Sequence, residues 1–180
     1  PAAGFTVSTL DGAWDFQTEW TGLDSYLFIN RWGGSMGSVQ TWDTPVADLL
    51  ATLPDNVHLF FGSYDTNAAG YVDSMKKQVG QALDVLSHEQ QVHWAPRVHF
   101  IDVPMDQTAG GLGEFVGAHG SLYFAIDRFQ RWREIGSLFD WQAYYTEAPQ
   151  SEYYPMRFAG YEPWYFEHEA GMAEEIVAMD

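Results

Sequence analysis

The stretch YLFINRWGGSMGSVQTW, residues 26–42, decides the fold of this chain. Its first seven residues form a short apolar run that is suited to a buried central strand. Glycines at positions 33, 34 and 37 follow directly, and the chain then enters a segment with helical spacing. A buried strand that passes through a glycine-rich turn into a helix predicts an α/β arrangement, with the turn as the first candidate for a functional site.

The rest of the chain alternates strand-like and helix-like periods in the same way. Apolar runs predict further strands at 5–10, 57–64 and 98–104, and two strands joined by a tight turn within 122–136. Helical periodicity predicts helices at 45–53, at 68–86 and from Gly110. The helix at 68–86 is expected to turn one face inward, formed by Tyr71, Met75, Val79, Leu83 and Leu86. We expect the central strands to bury Phe28, Phe60 and Phe124.

Composition excludes several classes of function. None of the 180 residues is Cys, which excludes disulfides, thiolate metal sites and thiol redox chemistry. With 25 acidic and 8 basic residues, the net charge is −17, so nucleic acids and anionic membrane surfaces are not expected partners. No apolar run approaches the roughly 20 residues of a membrane span, and no membrane insertion is expected. The acidity is compatible with Ca²⁺ or with a salty, extracellular setting, although no calcium motif supports the first.

The last forty residues differ from the rest. Residues 141–180 hold ten aromatic and eight acidic residues but a single basic one, Arg157, and three prolines interrupt any long helix. Disordered segments are poor in aromatic residues, so we expect an ordered extension that packs on residues 1–140 or on a neighbouring domain. Because the chain opens without Met and ends within a helical pattern, we also expect it to be a piece of a longer polypeptide.

The glycine-rich turn matches one hydrolase motif in its letters. Residues 33–37, GGSMG, fit the G-x-S-x-G pattern of a nucleophile elbow. Several strands precede the serine in that fold, whereas only 34 residues precede Ser35. Asp65 and a later histidine would have to supply the acid and base in a chain with little room for the remaining strands. A hydrolase that uses Ser35 is therefore the less favoured interpretation of this turn.

A second interpretation accounts for more of the chain. The segments FTVSTLDG, LFINRW, VHLFFGSYD and LYFAIDRFQRWREIG follow one another in that order, and Pro45 begins the helix after the turn. Together they resemble the redoxin branch of the thioredoxin-like superfamily, which includes thiol–disulfide oxidoreductases and peroxiredoxin relatives, over roughly residues 4–140. The resemblance implies a thioredoxin-like α/β fold with a central mixed sheet flanked by helices, followed by the aromatic extension.

The chain departs from that family at its active site. The resemblance places one catalytic cysteine near Met36 and the other near Gln40, and a cis-proline that presents backbone to substrate just before LYFAID; this chain has AHGS there, residues 118–121. No catalytic residue is therefore assigned. The vestigial loop is a candidate binding site and consists of Gly33, Gly34, Ser35, Met36 and Gly37, with His119 expected opposite. Its N–H groups could hold an anion, or the loop could simply remain as a permissive turn.

Metal and cofactor motifs are weak. His88 and His93 are five residues apart, about 140° around a helix, and do not share a face. His58 and His99 lie in two predicted strands and could be neighbours across the sheet, which the sequence does not establish. The tripeptide EHE at 167–169 is more typical of a solvated surface. We predict no metal site and no cofactor.

Three hypotheses of function remain. The first is a redox-inactive thioredoxin-like module that binds or scaffolds, with a protein or an adjacent domain of the same polypeptide as its partner. It would belong to a larger secreted or cell-envelope (periplasmic) protein. The second is the non-catalytic part of a processed hydrolase or metal-dependent enzyme, and the third is the Ser35 hydrolase.

Overall fold

A mixed β-sheet of seven strands organises the computed structural model, which describes residues 2–35, 42, 45–53, 55–127 and 129–136. The strands are β1 (Thr6–Thr9), β2 (Gly12–Asp15), β3 (Ser25–Arg31), β4 (Val57–Ser63), β5 (Val98–Pro104), β6 (Tyr123–Ile126) and β7 (Trp132–Gly136). Their spatial order is β2-β1-β5-β4-β3-β6-β7. The three central strands β5, β4 and β3 are parallel, and antiparallel strands extend the sheet on both sides.

Five α-helices connect the strands within the described ranges. They are α1 (Phe16–Glu19), α2 (Val46–Thr52), α3 (Ala68–Asp84), α4 (His88–Trp94) and α5 (Gly110–His119), with 3₁₀ turns at Ala95–Arg97 and Met105–Gln107. A capping box between Ser87 and Gln90 starts α4, and Gly120 ends α5 in the left-handed region, at a φ of 59°. The sequence prediction of an α/β fold with a central mixed sheet flanked by helices is confirmed.

Each face of the sheet carries its own core. The inward face of α3 contributes Val72, Met75 and Val79 to an aliphatic core shared with α2 and the odd-numbered residues of β3 and β4. The opposite face is an aromatic layer, in which Phe28 stacks on Phe60 and on Phe124, each with 4.7 Å between ring centroids. These three rings are fully buried in neighbouring strands, as the sequence predicts.

Two sequence predictions fall partly or wholly outside the described residues. Met36 and Gly37 of the loop and all of residues 141–180 lie outside them, so the proposed division into 1–140 and 141–180 stays a prediction. Among the helices that the structure describes, none is long and apolar enough to cross a bilayer.

Candidate functional site

The chain makes a tight turn directly after β3. The backbone N–H of Ser35 donates a hydrogen bond of 2.9 Å to the carbonyl of Trp32, and this bond closes the turn. The indole of Trp32 lies over Gly34, where an added Cβ would come within 2.7 Å of the ring. A side chain at position 34 would therefore require the indole of Trp32 to move. The indole itself remains 49% exposed.

The carboxylate of Asp65 holds this turn to the end of β4. It accepts hydrogen bonds from the backbone N–H of Gly33, at 3.1 Å to each oxygen, and from the hydroxyl of Ser63 at 3.2 Å. It also forms an ion pair with Arg31, whose guanidinium lies 3.7 Å from the centre of the Tyr71 ring. We call Arg31, Gly33, Ser63 and Asp65 the Asp65 cluster. The Asp65 carboxylate therefore accepts the hydrogen bond of the Gly33 N–H, a group that could otherwise have bound an external anion.

A second link joins the end of β4 to the segment that precedes β6. The hydroxyl of Tyr64 donates a 2.8 Å hydrogen bond to the carbonyl of Ser121. Burial raises the pKa of Tyr64 to about 12, so the hydroxyl stays protonated and remains a donor near neutral pH. The carbonyl of Leu122 accepts from both the backbone N–H and the side-chain amide of Asn30. Two consecutive carbonyls that could face a substrate are thus bonded within the chain, and the described residues contain no cis peptide bond.

Part of the predicted site lies within the described residues. Gly33, Gly34 and Ser35 share the turn, and Gly33 and Gly34 are exposed. His119 lies in the last turn of α5, two residues before Ser121, and its ring stacks on Phe115 with 4.6 Å between centroids. Asp65 links the glycine turn to the end of β4, and Tyr64 links the end of β4 to Ser121, just before β6. Neither contact was predicted from the sequence.

His58 and His99, which the sequence places in two predicted strands without establishing that the strands are neighbours, are in contact, because β4 and β5 pair. His58 Nδ1 lies 3.2 Å from His99 Nε2, and the two rings are parallel within 3°. The Asp24 carboxylate lies 3.7 Å from His58 Nε2, on the far side of that ring. We call His58 and His99 the histidine pair.

The surroundings of the histidine pair favour its neutral form. Burial lowers the pKa of His58 to about 4 and that of His99 to about 3, and the nearby Asp24 only partly offsets this for His58. Trp14 and Phe60 pack on His99. A neutral pair shares one N–H between the two rings, which is a structural hydrogen bond within the aromatic layer. In the part of the chain that the structure describes, no group of three or more potential ligands is arranged to hold a metal ion.

Comparison with known proteins identifies no relative. No family model matches the chain, and neither the curated proteins nor the solved structures contain a significant match. The function must therefore be inferred from the site and from the order of elements that positions it.

Proposed function

We propose that the chain is a redox-inactive thioredoxin-like module that binds or scaffolds a protein partner, as part of a larger secreted or envelope protein. The order of elements supports the fold assignment. A hairpin precedes the buried strand β3, a glycine turn and α2 follow it, β4 runs parallel to it, and the chain later returns in the hairpin β6–β7 antiparallel to it. The motifs that resemble redoxins occur in this order along the sequence.

The observation that carries the proposal is the closure of the carboxyl edge of the sheet. Thiolate attack on a disulfide or peroxide needs a cysteine, and the chain has none. Within the described residues, polar groups at this edge are bonded to one another, because Asp65 accepts from Gly33 and Tyr64 donates to Ser121. An edge in this state favours a rigid platform over a catalytic cleft.

The hydrolase hypothesis is less well supported by this geometry. A triad acid must orient a histidine, whereas the Asp65 carboxylate bonds to Arg31, Gly33 and Ser63. We expect no labelling of the chain by a serine-directed fluorophosphonate. Labelling that disappears in Ser35→Ala would instead establish Ser35 as a nucleophile.

The exposed indole offers a surface for binding. Trp32, Gly33 and Gly34 form the Trp32 surface, in which a half-exposed aromatic ring stands on a turn fixed by the Asp65 cluster. Tryptophan is enriched among the residues that contribute most to protein interfaces, since it buries a large area at little entropic cost. A rigid turn reduces that cost further.

Native mass spectrometry on the protein from its natural source tests the binding role. We expect a mass above that of residues 1–180. If the additional mass is a separate partner chain and not part of the same polypeptide, we expect it to be lost when Trp32→Ala is introduced. Leu23→Ala is the matched control, because Leu23 is 70% exposed but precedes β3 at its opposite end. A mass equal to this chain alone, with no partner in either variant, would contradict the proposal. An added subunit with hydrolytic or metal-dependent activity would support the second hypothesis of function.

A further inference from the structure

We propose that a cavity near the amino ends of the parallel strands binds a primary organic amine through its ammonium group. This site is separate from the Trp32 surface and does not depend on the binding role proposed there. The apolar wall of the cavity, the charge of its rim and one buried imidazole nitrogen define the kind of ligand that it suits.

The cavity lies between the end of α2 and α4. Its volume is about 200 Å³, and its apolar wall consists of buried side chains from both segments, namely Leu50, Leu53 and Trp94. Trp94 ends α4 shortly before β5 begins at Val98, which places the wall near the amino end of that strand. A cavity of about 150 Å³ holds a benzene molecule. This cavity therefore has room for a phenyl ring with a short alkyl chain.

The rim of the cavity is acidic. Asp55, just before β4, and Glu89, in the first turn of α4, both line it and are both exposed. No Lys or Arg within the described residues lines it. The chain as a whole carries a net charge of −17, so the field around this rim attracts cations and repels anions. The rim therefore favours a positively charged ligand.

The third polar group is the imidazole of His93, which also lines the cavity. Its ring packs edge-on against Trp94, with 4.9 Å between ring centroids. Within the described residues, its Nε2 is buried and has no hydrogen-bond partner. Buried polar atoms are normally hydrogen-bonded, and leaving one unpaired costs free energy. A ligand N–H that reaches this nitrogen after a small rotation of the ring would recover that cost.

A primary ammonium group matches this set of acceptors. It offers three N–H donors, and the two carboxylates and the imidazole nitrogen provide an acceptor for each. Hydrogen bonds of an ammonium nitrogen are about 2.7–2.9 Å long, whereas metal–ligand bonds are about 2.0–2.6 Å, so the acceptors can stand further apart around an ammonium. The apolar wall would take the hydrocarbon part of the ligand. The cavity therefore suits a primary amine with a small aromatic or aliphatic body.

A titration of the full chain with phenethylamine tests the site, with the backbone amide NMR signals of α4 as the readout. Phenethyl alcohol is the matched neutral ligand, because it has the same carbon skeleton and a hydroxyl in place of the ammonium. We expect the amine to bind at least about tenfold more tightly than the alcohol at low ionic strength. Equal affinities, or no shift of the α4 amides with about 10 mM amine, would overturn the proposal.

Substitutions at the rim separate a defined site from general attraction to an acidic chain. Glu89→Gln and Asp55→Asn each remove one carboxylate, and both positions are exposed, so the variants should fold. We expect each to weaken amine binding about five- to tenfold. Asp73→Asn is the matched control, because it removes the same charge from an exposed pair with Lys77 on α3, and it should change the affinity less than about twofold. Equal weakening in all three variants would overturn the proposal.

His93→Phe tests the third acceptor. Phenylalanine keeps a ring beside Trp94 and removes both nitrogens, so the free energy of unfolding should be unchanged or higher. We expect phenethylamine to bind about three- to tenfold more weakly to this variant. Unchanged amine affinity in His93→Phe would overturn the assignment of an ammonium site. Binding of Ca²⁺ to the wild-type chain at the same amides and at lower concentrations than the amine would also overturn it.

Discussion

At the carboxyl ends of β3 and β4, charge and hydrogen bonds around Asp65 hold the glycine turn, whereas near the amino ends of β4 and β5 two neutral histidines lie among aromatic rings. The partners account for the difference. Arg31 and Asp65, whose side chains are 15% and 23% exposed, face each other as an ion pair. The histidine pair lies under Trp14, Tyr26 and Phe60, where a charge would lose its hydration.

The two regions differ in where the chain can carry function. Among the described residues of the carboxyl edge, Asp65 accepts from Gly33 and Ser63, Tyr64 donates to Ser121, and the indole of Trp32 is half exposed. The amino edge contains the titratable pair, and that pair is partly buried against rings of the aromatic layer.

Substitutions in the aromatic layer should destabilise the fold far more than substitutions in the Trp32 surface. Phe28→Ala removes a fully buried ring that stacks on two others, and we expect the free energy of unfolding to fall by about 3–5 kcal/mol. Trp32→Ala removes a half-exposed ring and should cost about 1 kcal/mol or less. Urea denaturation measures both. A similar loss in the two variants would break the distinction between a structural face and a binding surface.

The histidine pair predicts a loss of stability in mild acid. Both pKa values are lowered in the fold, to about 4 and about 3, so the unfolded chain takes up protons first as pH falls below about 6.5. The stabilisation is complete at neutral pH and decreases towards the folded pKa values. Between pH 7 and 5.5 we expect a loss of about 2 kcal/mol for the pair. An NMR titration that places His99 near pH 6.5 would contradict the buried, neutral pair.

The Asp65 cluster should contribute less than the aromatic layer. Asp65→Ala leaves Gly33 and Arg31 without this acceptor, and we expect a loss of about 1–2 kcal/mol, because partial exposure screens the ion pair. Asp65→Asn keeps an acceptor for Gly33 and should lose less. The control is Asp73→Ala, which breaks the exposed pair with Lys77 and should change stability by about 0.5 kcal/mol or less. Equal losses at positions 65 and 73 would show that the cluster is an ordinary surface pair.

The smallest expected effect concerns the bond to Ser121. Tyr64→Phe removes the hydroxyl and should cost about 1 kcal/mol, with little change in packing. The matched change in this chain is Tyr71→Phe, since Tyr71 contacts Arg31 through its ring and not through its hydroxyl. If urea denaturation gives the same free energy of unfolding for both variants, the hydrogen bond from Tyr64 to Ser121 does not help to close the edge.

The fold was largely predictable because its strands are strong local patterns. The run VHFIDVP predicts the strand 98–104, and β5 has these bounds. The inward face of α3 was predicted less well. Met75 and Val79 are buried, but Val72 and Ala82 complete the buried face, while Tyr71 and Leu83 are only partly buried. Periodicity locates such a face within about one residue position, and the small side chain of Ala82 gives little signal.

The site was predictable in place but not in its contacts. The glycine turn stands out in the sequence, and the absence of Cys excludes redox chemistry directly. Three contacts join residues that are 32, 57 and 41 positions apart in the sequence. They are the contacts of Asp65 with Gly33, Tyr64 with Ser121, and His58 with His99. Such contacts depend on strand order and register, which a local pattern does not encode.

Amide hydrogen exchange of Gly33 reports whether the chain's own groups close the carboxyl edge of the sheet. In the wild-type chain we predict that the Gly33 N–H exchanges at least about tenfold more slowly than in an unstructured peptide. In Asp65→Ala the protection should disappear, while amides of β3 stay protected. A Gly33 amide that exchanges freely in the wild-type chain would show that the edge is open and would contradict the account.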